Sequence, residues 1–410
     1  MTATRPIELL ERELDLARFI RPGEGAVWGQ ACAEPVILVD AFLELAREVT
    51  PLSAFLGLSW RDYSGRVADG LRLVSYGGLG RLGRLPGLEI VPCHYSALPD
   101  LFARRLLPGD VALIQVAPPD SRGRCSFGVG ADYLQDAVTH ARLVIAEVND
   151  HCPRTAGASI GFDELDIVVR TSRPLVTGPP LTPGPVEEQI AANVAAIVED
   201  GDTIQLGVGA LPEAIMAALQ GHRDLGFHGG MITDGVLALI DCGAVTGERK
   251  PHDYRLTITG AALGTSKLFD ALPAHEEIIF CPASYTHDAA TLARVGPLAA
   301  INTAVEIDLT GQVNGEALGE RKLGAVGGQV DFLRAAFSGG GKPIIAVPSK
   351  RIVSELHGPT TTSRSDVDWV VTEFGACSLR GRSDNERRRE LIRIAGNEEP
   401  AIREPRLTSL

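Results

Sequence analysis

Apolar residues in this chain occur in short uninterrupted runs, separated by longer stretches of mixed polar and apolar residues. The clearest runs are DVALIQVAP (110–118), ARLVIAEVN (141–149), EEIIFCPA (276–283), KPIIAVPS (342–349) and DVDWVVTEFG (366–375). Strands that are covered by helices on both faces of a parallel sheet have this pattern. The runs therefore predict an α/β fold with mainly parallel sheets.

Two segments of the chain open in the same way. Residues 8–20 and 186–198 have apolar residues at helical spacing, so each predicts an amphipathic helix. Each is followed by an acidic turn with glycine, a short apolar strand, a glycine-bearing loop and a second helix, over residues 21–46 and 199–220. This shared order predicts two related open α/β domains.

A proline-rich segment separates the two halves. Residues 173–189 contain five prolines and two glycines. Proline fixes its own φ and disfavours helix in the residue before it, so the segment predicts a linker. We therefore predict domains at residues 1–180 and 186–410, with ligands at the carboxyl ends of the parallel strands.

The composition argues against several classes of function. The chain has 410 residues, of which 45% are hydrophobic and 22% charged, and its formal net charge is −13. An acidic chain is not expected to bind nucleic acid or an anionic membrane surface. No apolar run approaches the roughly 20 residues that span a bilayer. Acidic residues interrupt the apolar positions of residues 1–20, which argues against a signal peptide.

The cysteines and histidines form no metal-binding motif. The seven cysteines are scattered and contain no CxxC pair, which is typical of reduced thiols in a cytoplasmic protein. The histidines form no HExxH motif, so we predict that the protein has no catalytic metal.

Three segments carry candidate chemistry, and each also has an ordinary structural explanation. Residues 205–215 leave a predicted strand through a Gly-Val-Gly sequence whose N–H groups could hold a phosphate or an oxyanion, or form a tight turn. Residues 324–343 again place glycines before a predicted helix, which could be a surface helix between two loops. Residues 301–319 place Glu306 and Asp308 on one face of a strand, where they could be solvated edge carboxylates.

Together these segments resemble the acetyl-CoA hydrolase/transferase family, which includes 4-hydroxybutyrate and acetate CoA-transferases. The resemblance covers nearly the whole chain and is carried by PGDVALIQVAPPDSRGRCSFGVG (108–130), VIAEVNDHCPRTAG (144–157), DTIQLGVGALPEAI (202–215), INTAVEIDLTGQVNGEALG (301–319), VGGQVDFLRAA (326–336) and DVDWVVTEFGACSLRGRS (366–383). It implies two CoA-transferase-type α/β domains in a cytoplasmic enzyme that acts on an acyl-CoA thioester at the domain interface.

The resemblance also implies roles for the glycine loops. Attack on a thioester carbonyl creates an oxyanion, which preorganised backbone donors stabilise. By resemblance, one donor is the N–H of Val208 or Gly209 and the other is the N–H of Gly328. The implied coenzyme A-binding positions are Gln205, Gly207, Val208, Gly209, Ala304, Gly324, Gly327, Gly328 and Lys342. Lys342 matches a basic contact to coenzyme A, where a point charge suits a phosphate.

One family feature is missing from the stretch LGFHGGMITDGV, residues 225–236. In the family, the aligned stretch carries a glutamate two residues after the histidine. That glutamate attacks the acyl-CoA and becomes a glutamyl-CoA thioester. Here the position is Gly230, so the resemblance excludes classical CoA transfer through this residue.

Three interpretations of Gly230 remain open. The first is a changed reaction, either thioester hydrolysis or acyl transfer to an acceptor that is not a carboxylate. The second is a relocated nucleophile, for which the candidates are Asp234, Glu306, Cys93 and Cys125. The third is an acyl-CoA-binding protein without catalysis, since the ligand-holding loops are retained.

His228 has two interpretations as well. It is either a buried, hydrogen-bonded histidine or the general base, because an ordinary histidine pKa of about 6.5 suits proton transfer near neutral pH. Residues 29–38, GQACAEPVIL, match the family's other glycine loop and are expected at the interface between the halves. The sequence LIRIAGNEEPAIREPRL near the carboxyl terminus departs from the family's usual tail. The expected partners are an acyl-CoA and an unidentified acceptor, and a homodimer is one assembly that the sequence allows.

Overall fold

A computed structural model describes residues 6–396, and the first half of these residues is built on one large sheet. The strands of this first half are β1 (Ile7–Leu9), β2 (Gly25–Trp28), β3 (Leu52–Phe55), β4 (Leu71–Ser75), β5 (Glu89–Ile90), β6 (Val111–Val116), β7 (Arg124–Ser126), β8 (Leu143–Asn149), β9 (Ala156–Gly157), β10 (Ser159–Gly161) and β11 (Ile167–Thr171). Eight of them form a sheet in the order β1-β11-β8-β6-β2-β3-β4-β5. Every neighbouring pair in this sheet is parallel.

The second half contains a six-stranded sheet and several short ones. Its strands are β12 (Thr203–Leu206), β13 (Gly226–Phe227), β14 (Met231–Ile232), β15 (Thr257–Thr259), β16 (Ala261–Ala262), β17 (Ile278–Phe280), β18 (Leu298–Thr303), β19 (Glu306–Asp308), β20 (Val313–Asn314), β21 (Ala317–Leu318), β22 (Arg321–Lys322), β23 (Lys342–Ala346), β24 (Ile352–Val353), β25 (Trp369–Thr372) and β26 (Gly375–Ser378). The larger sheet has the order β13-β12-β18-β23-β25-β26, and its pairs are parallel except β25 with β26. Both halves therefore have the predicted α/β fold with mainly parallel sheets.

Helices cover the sheets. They are α1 (Val36–Glu48), α2 (Leu98–Ala103), α3 (Asp132–Val138), α4 (Pro185–Ala195), α5 (Ala210–Ala218), α6 (Asp234–Asp241), α7 (Ser266–Ala271), α8 (Ala283–Thr286), α9 (Ala289–Leu292), α10 (Gln329–Ser338) and α11 (Asp384–Ile394). Val111 and Leu113 of β6 lie in the apolar core that contains the buried face of α1, whereas Ala112 and Ile114 lie in the core that contains α3. This burial on both faces explains why the strand is apolar at consecutive positions. Within residues 6–396, no helix is long and apolar enough to cross a membrane.

The helix predicted at residues 8–20 is wrong. This segment forms strand β1 and two short 3-10 helices at Glu11–Glu13 and Leu16–Arg18. Strand β1 pairs in parallel with β11, so it satisfies backbone groups that would otherwise be unpaired at the sheet edge. The apolar positions that resembled a helix are instead used for core packing, since Leu16 and Ile20 are buried. Edge pairing therefore overrides the local helical pattern.

The other elements predicted around the linker are confirmed. Residues 172–184 contain no helix or strand, and α4 begins at Pro185, where the missing N–H loses no helical bond. The predicted strand and helix after α4 are β12 and α5, and the five apolar runs become β6, β8, β17, β23 and β25. The domain limits at residues 180 and 186 remain a prediction.

The halves are not simply placed side by side. Strand β9 of the first half pairs with β17 of the second half. The N–H groups of Ala131 and Asp132 both donate to the carbonyl of Gly260, at 2.9 and 3.1 Å. These contacts fix the relative position of the loops that the two halves contribute to the site described next.

Candidate active site

A cavity of about 340 Å³ lies between the two halves. The second half contributes the segments that follow β12 and β18, two adjacent parallel strands whose carboxyl ends meet at one edge of the sheet. The first half contributes Gln30, Tyr76 and Tyr95. The cavity is therefore at the position where ligands bind in open parallel sheets.

The loop after β12 forms one wall. Gly207 and Val208 line the cavity, and Gly209 follows them as the N-cap of α5 with a φ of 145°. This backbone conformation favours glycine. Within residues 6–396, no acceptor takes a hydrogen bond from the N–H of Val208 or of Gly209. These donors, at the positive end of α5, are free to receive an anionic oxygen.

A second glycine loop, residues 324–328, forms another wall. Its carbonyls at Gly324 and Gly327 accept from the N–H groups of Gly78 and Tyr95 at 2.9 and 3.0 Å, which ties the loop to the first half. Gly327 has a φ of 55°, and Gly328 is the N-cap of α10. The N–H of Gly328 has no hydrogen-bond acceptor in the described part of the chain. A second unpaired donor therefore lies at the cavity.

Gly230 lies on the cavity wall, directly before strand β14. Its carbonyl accepts from the N–H groups of Gly260 and Ala261, each at 3.0 Å, so its backbone position is fixed. A Cβ atom at this position would lie 2.9 Å from Cε1 and 3.2 Å from Nε2 of His287. The space beside residue 230 is therefore occupied by an imidazole.

His287 was not among the residues identified from the sequence. It follows α8, is 5% exposed and lines the cavity. Its ring centroid lies 4.6 Å from that of Tyr95 and 4.8 Å from that of Phe332. Burial, with a smaller contribution from His228, lowers the pKa of His287 to about 3. No sequence motif marks this histidine, because its relation to Gly230 depends on a long-range contact.

His228 lies behind this wall and is not a lining residue of the cavity. It is fully buried, and its Nε2 lies 3.1 Å from the carbonyl oxygen of Thr286. Its Nδ1 lies 3.9 Å from Oδ2 of Asp253. Burial, followed by the charge of Lys250, lowers the pKa of His228 to about 4. This environment fits the interpretation of a buried, hydrogen-bonded histidine better than that of a base at the cavity.

A buried polar network supports the aromatic side of the cavity. Gln30, from the predicted glycine loop at residues 29–38, donates through Nε2 to Tyr95 Oη at 2.9 Å and to Asp132 Oδ2 at 2.7 Å. Its Oε1 accepts from Tyr76 Oη at 2.9 Å. Burial raises the pKa of Asp132 to about 6. The network holds both tyrosines in place, and no sequence motif identified either of them.

The two candidate carboxylate nucleophiles are engaged elsewhere. Asp234 accepts from the N–H and the hydroxyl of Thr265, at 2.9 and 2.7 Å. Glu306 is buried and accepts from the N–H of His357 at 3.0 Å and from Asn314 Nδ2 at 3.3 Å. Neither residue lines the cavity. The interpretation of Glu306 and Asp308 as solvated edge carboxylates is wrong, because both are buried and their strand β19 is the central strand of a three-stranded sheet.

The two candidate thiols also lie away from the cavity lining. Burial raises the pKa of Cys93 and of Cys125 to about 11 in each case. A thiol with a raised pKa is mostly protonated near neutral pH and is a poor nucleophile. All seven cysteines are free. Within residues 6–396, no group of three or more His, Cys, Asp or Glu side chains is arranged to hold a metal ion.

Lys342, the predicted basic contact to coenzyme A, does not line the cavity. It begins β23 and pairs in register with Ala299 near the start of β18, so it lies at the opposite edge of the sheet from the cavity. Its Nζ donates to Oδ2 of Asp202 at 2.7 Å and lies 3.6 Å from Glu199. Its distance from the cavity follows from strand direction, because residues at the start of a parallel strand lie at the edge opposite to the carboxyl ends.

Most of the other predicted positions are brought together. The predicted residues that line the cavity are Gln205, Gly207, Val208, Gly230, Ala304, Gly324, Gly327 and Gly328. Gly209 is adjacent to them in the β12 loop. The side chain of Gln205 is fixed by a hydrogen bond from Asn302 Nδ2 at 3.0 Å. The cavity thus combines two glycine loops with aromatic and imidazole rings.

Comparison with known proteins agrees with this arrangement. Residues 87–177 match the acetyl-CoA hydrolase/transferase N-terminal domain, and residues 264–405 match the acetyl-CoA hydrolase/transferase C-terminal domain. The 4-hydroxybutyrate coenzyme A transferase of Clostridium kluyveri is 41% identical over 319 residues, which cover 75% of this chain and 74% of that protein.

Solved structures give the same relationship. RipA from Yersinia pestis superimposes with a TM-score of 0.86 at 30% identity, over 95% of this chain and 94% of that one. A 4-hydroxybutyrate CoA-transferase from Porphyromonas gingivalis superimposes with a TM-score of 0.77 at 31% identity, over 95% and 94% of the two chains. The chain therefore belongs to the acetyl-CoA hydrolase/transferase family.

Proposed function

We propose that this protein is an enzyme that cleaves acyl-CoA thioesters by hydrolysis, or by acyl transfer to an acceptor that is not a carboxylate. The observation that carries the proposal is Gly230, a residue without a side chain on the wall of a cavity that retains its backbone donors. Glycine cannot form an acyl anhydride or a covalent thioester. The reaction therefore differs from transfer through a carboxylate at this position.

Two backbone donors support catalysis in the absence of that carboxylate. The N–H of Val208 or Gly209 on one loop and the N–H of Gly328 on the other stabilise the oxyanion that forms at the thioester carbonyl. Loss of one such donor typically costs about 10²–10³ in rate, so retained donors can sustain substantial turnover. The coenzyme A moiety contacts the glycine loops, where small residues leave room for a ligand close to the backbone.

Two alternatives have weaker support. A transferase with a relocated carboxylate would use Asp234 or Glu306, and both carboxylates are already satisfied by other groups. A non-catalytic acyl-CoA-binding protein would need the loops but no base. An imidazole beside the cavity favours an enzyme over a binding protein. The cytoplasmic location and a homodimeric assembly remain predictions from the sequence.

Parallel assays of hydrolysis and exchange test the proposal. The purified protein is given a panel of short and medium acyl-CoAs, with water, alcohols, amines or carboxylates as acceptors, and release of free CoA is measured. We expect CoA release without exchange between carboxylates. We also expect no CoA adduct on the peptide that contains residues 225–236 when the reaction is trapped with borohydride and mapped by mass spectrometry.

Three results would contradict the proposal in different ways. Rapid CoA exchange between carboxylates would show that a classical transferase mechanism survives. An adduct on Asp234 or Glu306 would establish the relocated nucleophile. Binding of acyl-CoA by calorimetry, without consumption under any acceptor, would establish the binding protein.

A further inference from the structure

The imidazole of His287 occupies the volume that a side chain at residue 230 would need. A Cβ at Gly230 would lie 3.2 Å from Nε2 of His287, and a Cβ at Gly328 would lie 2.5 Å from the same nitrogen. Both glycines line the cavity. Because Gly230 and Gly328 have no side chains, Nε2 of His287 fits between the segment that contains Gly230 and the glycine loop of residues 324–328.

The other ring nitrogen of His287 is already hydrogen-bonded. Nδ1 lies 2.8 Å from the hydroxyl oxygen of Thr286, and that hydroxyl can donate to the carbonyl of Pro282 at 3.3 Å. In the tautomer in which Nδ1–H donates to the hydroxyl oxygen, Nε2 carries a lone pair. Nε2 has no hydrogen-bond partner among residues 6–396. An unpaired acceptor at a buried position is available to a ligand.

We propose that His287 is the general base of the reaction proposed above, acting from the space that the absence of a side chain at Gly230 leaves open. The inference rests on that proposed function and identifies the group that activates the acceptor. It assigns the base to a residue other than His228, whose nitrogen atoms do not line the cavity.

The step balances with water or an alcohol as the acceptor. The acceptor O–H transfers its proton to Nε2 while its oxygen forms a bond to the thioester carbon, and the carbonyl electron pair moves onto the oxyanion. Collapse of the oxyanion breaks the carbon–sulfur bond. The leaving thiolate takes the proton from Nε2, which gives free CoA–SH and an acid or ester and restores the neutral imidazole.

The electrostatic environment fits this cycle. Since the pKa of His287 is lowered to about 3, the ring is neutral near neutral pH and its lone pair is available. Burial makes an isolated imidazolium unfavourable, but the imidazolium of this cycle forms only beside the oxyanion. A nearby opposite charge favours the charged form of a base, so the penalty is offset in the transition state.

The first test replaces the base. His287→Asn is compared with the wild type and with His140→Asn, a change at an exposed histidine outside the cavity. We expect kcat of His287→Asn to fall about 10²–10⁴-fold, the usual contribution of a general base, with an unchanged Kd for acyl-CoA. Retained Kd and thermal melting show that the variant is folded. An unchanged kcat would overturn the assignment of His287 while leaving thioester cleavage by the protein established.

Chemical rescue separates a base from a residue that only supports the wall. His287→Ala opens space at the ring position, and added imidazole is expected to restore part of kcat in a concentration-dependent way. If His287→Ala is folded and binds acyl-CoA but added imidazole does not restore kcat, His287 has only a structural role. If the wild type releases no CoA from any acyl-CoA, the proposed function and this inference fall together.

A third test does not depend on wild-type turnover. Gly230→Glu alone places Cβ 2.9 Å from the His287 ring, so we expect it to gain little carboxylate-dependent CoA exchange. The double variant Gly230→Glu/His287→Ala has room for the carboxylate, and we expect it to exchange CoA between carboxylates. Equal exchange by the single and double variants would contradict the claim that the two positions share one volume.

Discussion

At the scale of single residues, this protein keeps two histidines uncharged in its interior. Burial is the main cause of the lowered pKa at both His228 and His287, and His228 also disfavours the charged form of His287. Tyr95, the titratable group packed on the ring of His287, is itself buried. Neutral imidazoles are therefore part of the native state and should make its stability depend on pH.

We expect acid to lower the free energy of unfolding, and we expect His287 to contribute part of this loss. The folded-state pKa of about 3 lies below the ordinary value of 6.5, so between these values the unfolded chain binds a proton that the folded chain does not. Unfolding free energy should therefore fall as pH falls below 6.5, by up to about 1.4 kcal/mol per pH unit from this residue. Urea unfolding between neutral pH and about pH 5 measures the slope.

The same experiment on two variants isolates the contribution. His287→Asn should show a shallower loss of stability with acid than the wild type, whereas His140→Asn, changed at an exposed position, should keep the wild-type slope. Identical slopes for the wild type and His287→Asn would mean that the ring binds a proton as readily in the folded protein as in the unfolded chain.

Much of the site could be predicted at the residue scale, but not its imidazole. The glycines at 207, 327 and 328 were predictable because a loop that approaches a ligand closely has a local sequence pattern. His287 could not be identified in this way, since its importance comes from contact with Gly230 and Gly328. Contacts between residues that are far apart in the chain leave no local periodicity to read.

At the scale of elements, the loop of residues 324–328 depends on close backbone contacts. A Cβ at Gly324 would overlap the carbonyl oxygen of Gly315. The carbonyl of Gly324 accepts from the N–H of Gly78, in the first half of the chain. The loop therefore tolerates no side chain at this position without moving away from the cavity.

Gly324→Ala should lower the unfolding free energy by about 1–3 kcal/mol, a typical cost of overpacking. It should also weaken acyl-CoA binding, because the shifted loop carries the N–H of Gly328. Gly221→Ala is a matched control, since a Cβ there would meet no atom within 4 Å. Calorimetry and thermal melting compare the variants. Unchanged acyl-CoA affinity in Gly324→Ala would show that the loop does not contact the ligand.

Strand elements were easier to predict than the first helix. The apolar runs became β6, β8, β17, β23 and β25 because strands buried on both faces need apolar residues throughout. The segment at residues 8–20 had a helical pattern, yet β11 offered it a sheet edge to pair with. Which partner a segment finds in the folded chain is not contained in its own pattern.

At the scale of the whole molecule, the two ends of the strands in the six-stranded sheet differ in what they hold. The carboxyl edge carries the cavity, and the opposite edge holds the ion pair of Lys342 with Asp202. Asp202 is 5% exposed, so loss of its partner would leave a nearly buried carboxylate without its cation.

Lys342→Ala should therefore affect stability and leave ligand binding intact. We expect a loss of about 1–3 kcal/mol in unfolding free energy, because a nearly buried carboxylate loses its cation, and an unchanged Kd for acyl-CoA. Lys267→Ala removes an exposed lysine of α7 and serves as the control for charge. A clear rise in Kd for Lys342→Ala alone would restore the predicted contact with coenzyme A.

The two-part architecture was readable from the repeated opening and the linker, whereas the way the halves join was not. Pairing of β9 with β17 and the contact of residues 324–328 with Gly78 and Tyr95 connect segments that are distant in sequence. Such pairings depend on three-dimensional arrangement, so a single sequence predicts the presence of an interface but not its contacts.

The contact between Gly230 and His287 also couples the effects of mutations at the two positions. An ancestor with any larger side chain at position 230 would have placed its Cβ within 2.9 Å of a histidine ring at position 287. A larger side chain at 230 therefore requires the imidazole to shift, so we expect the effect of a substitution at either position to depend on the residue at the other. This mutual dependence is a form of epistasis.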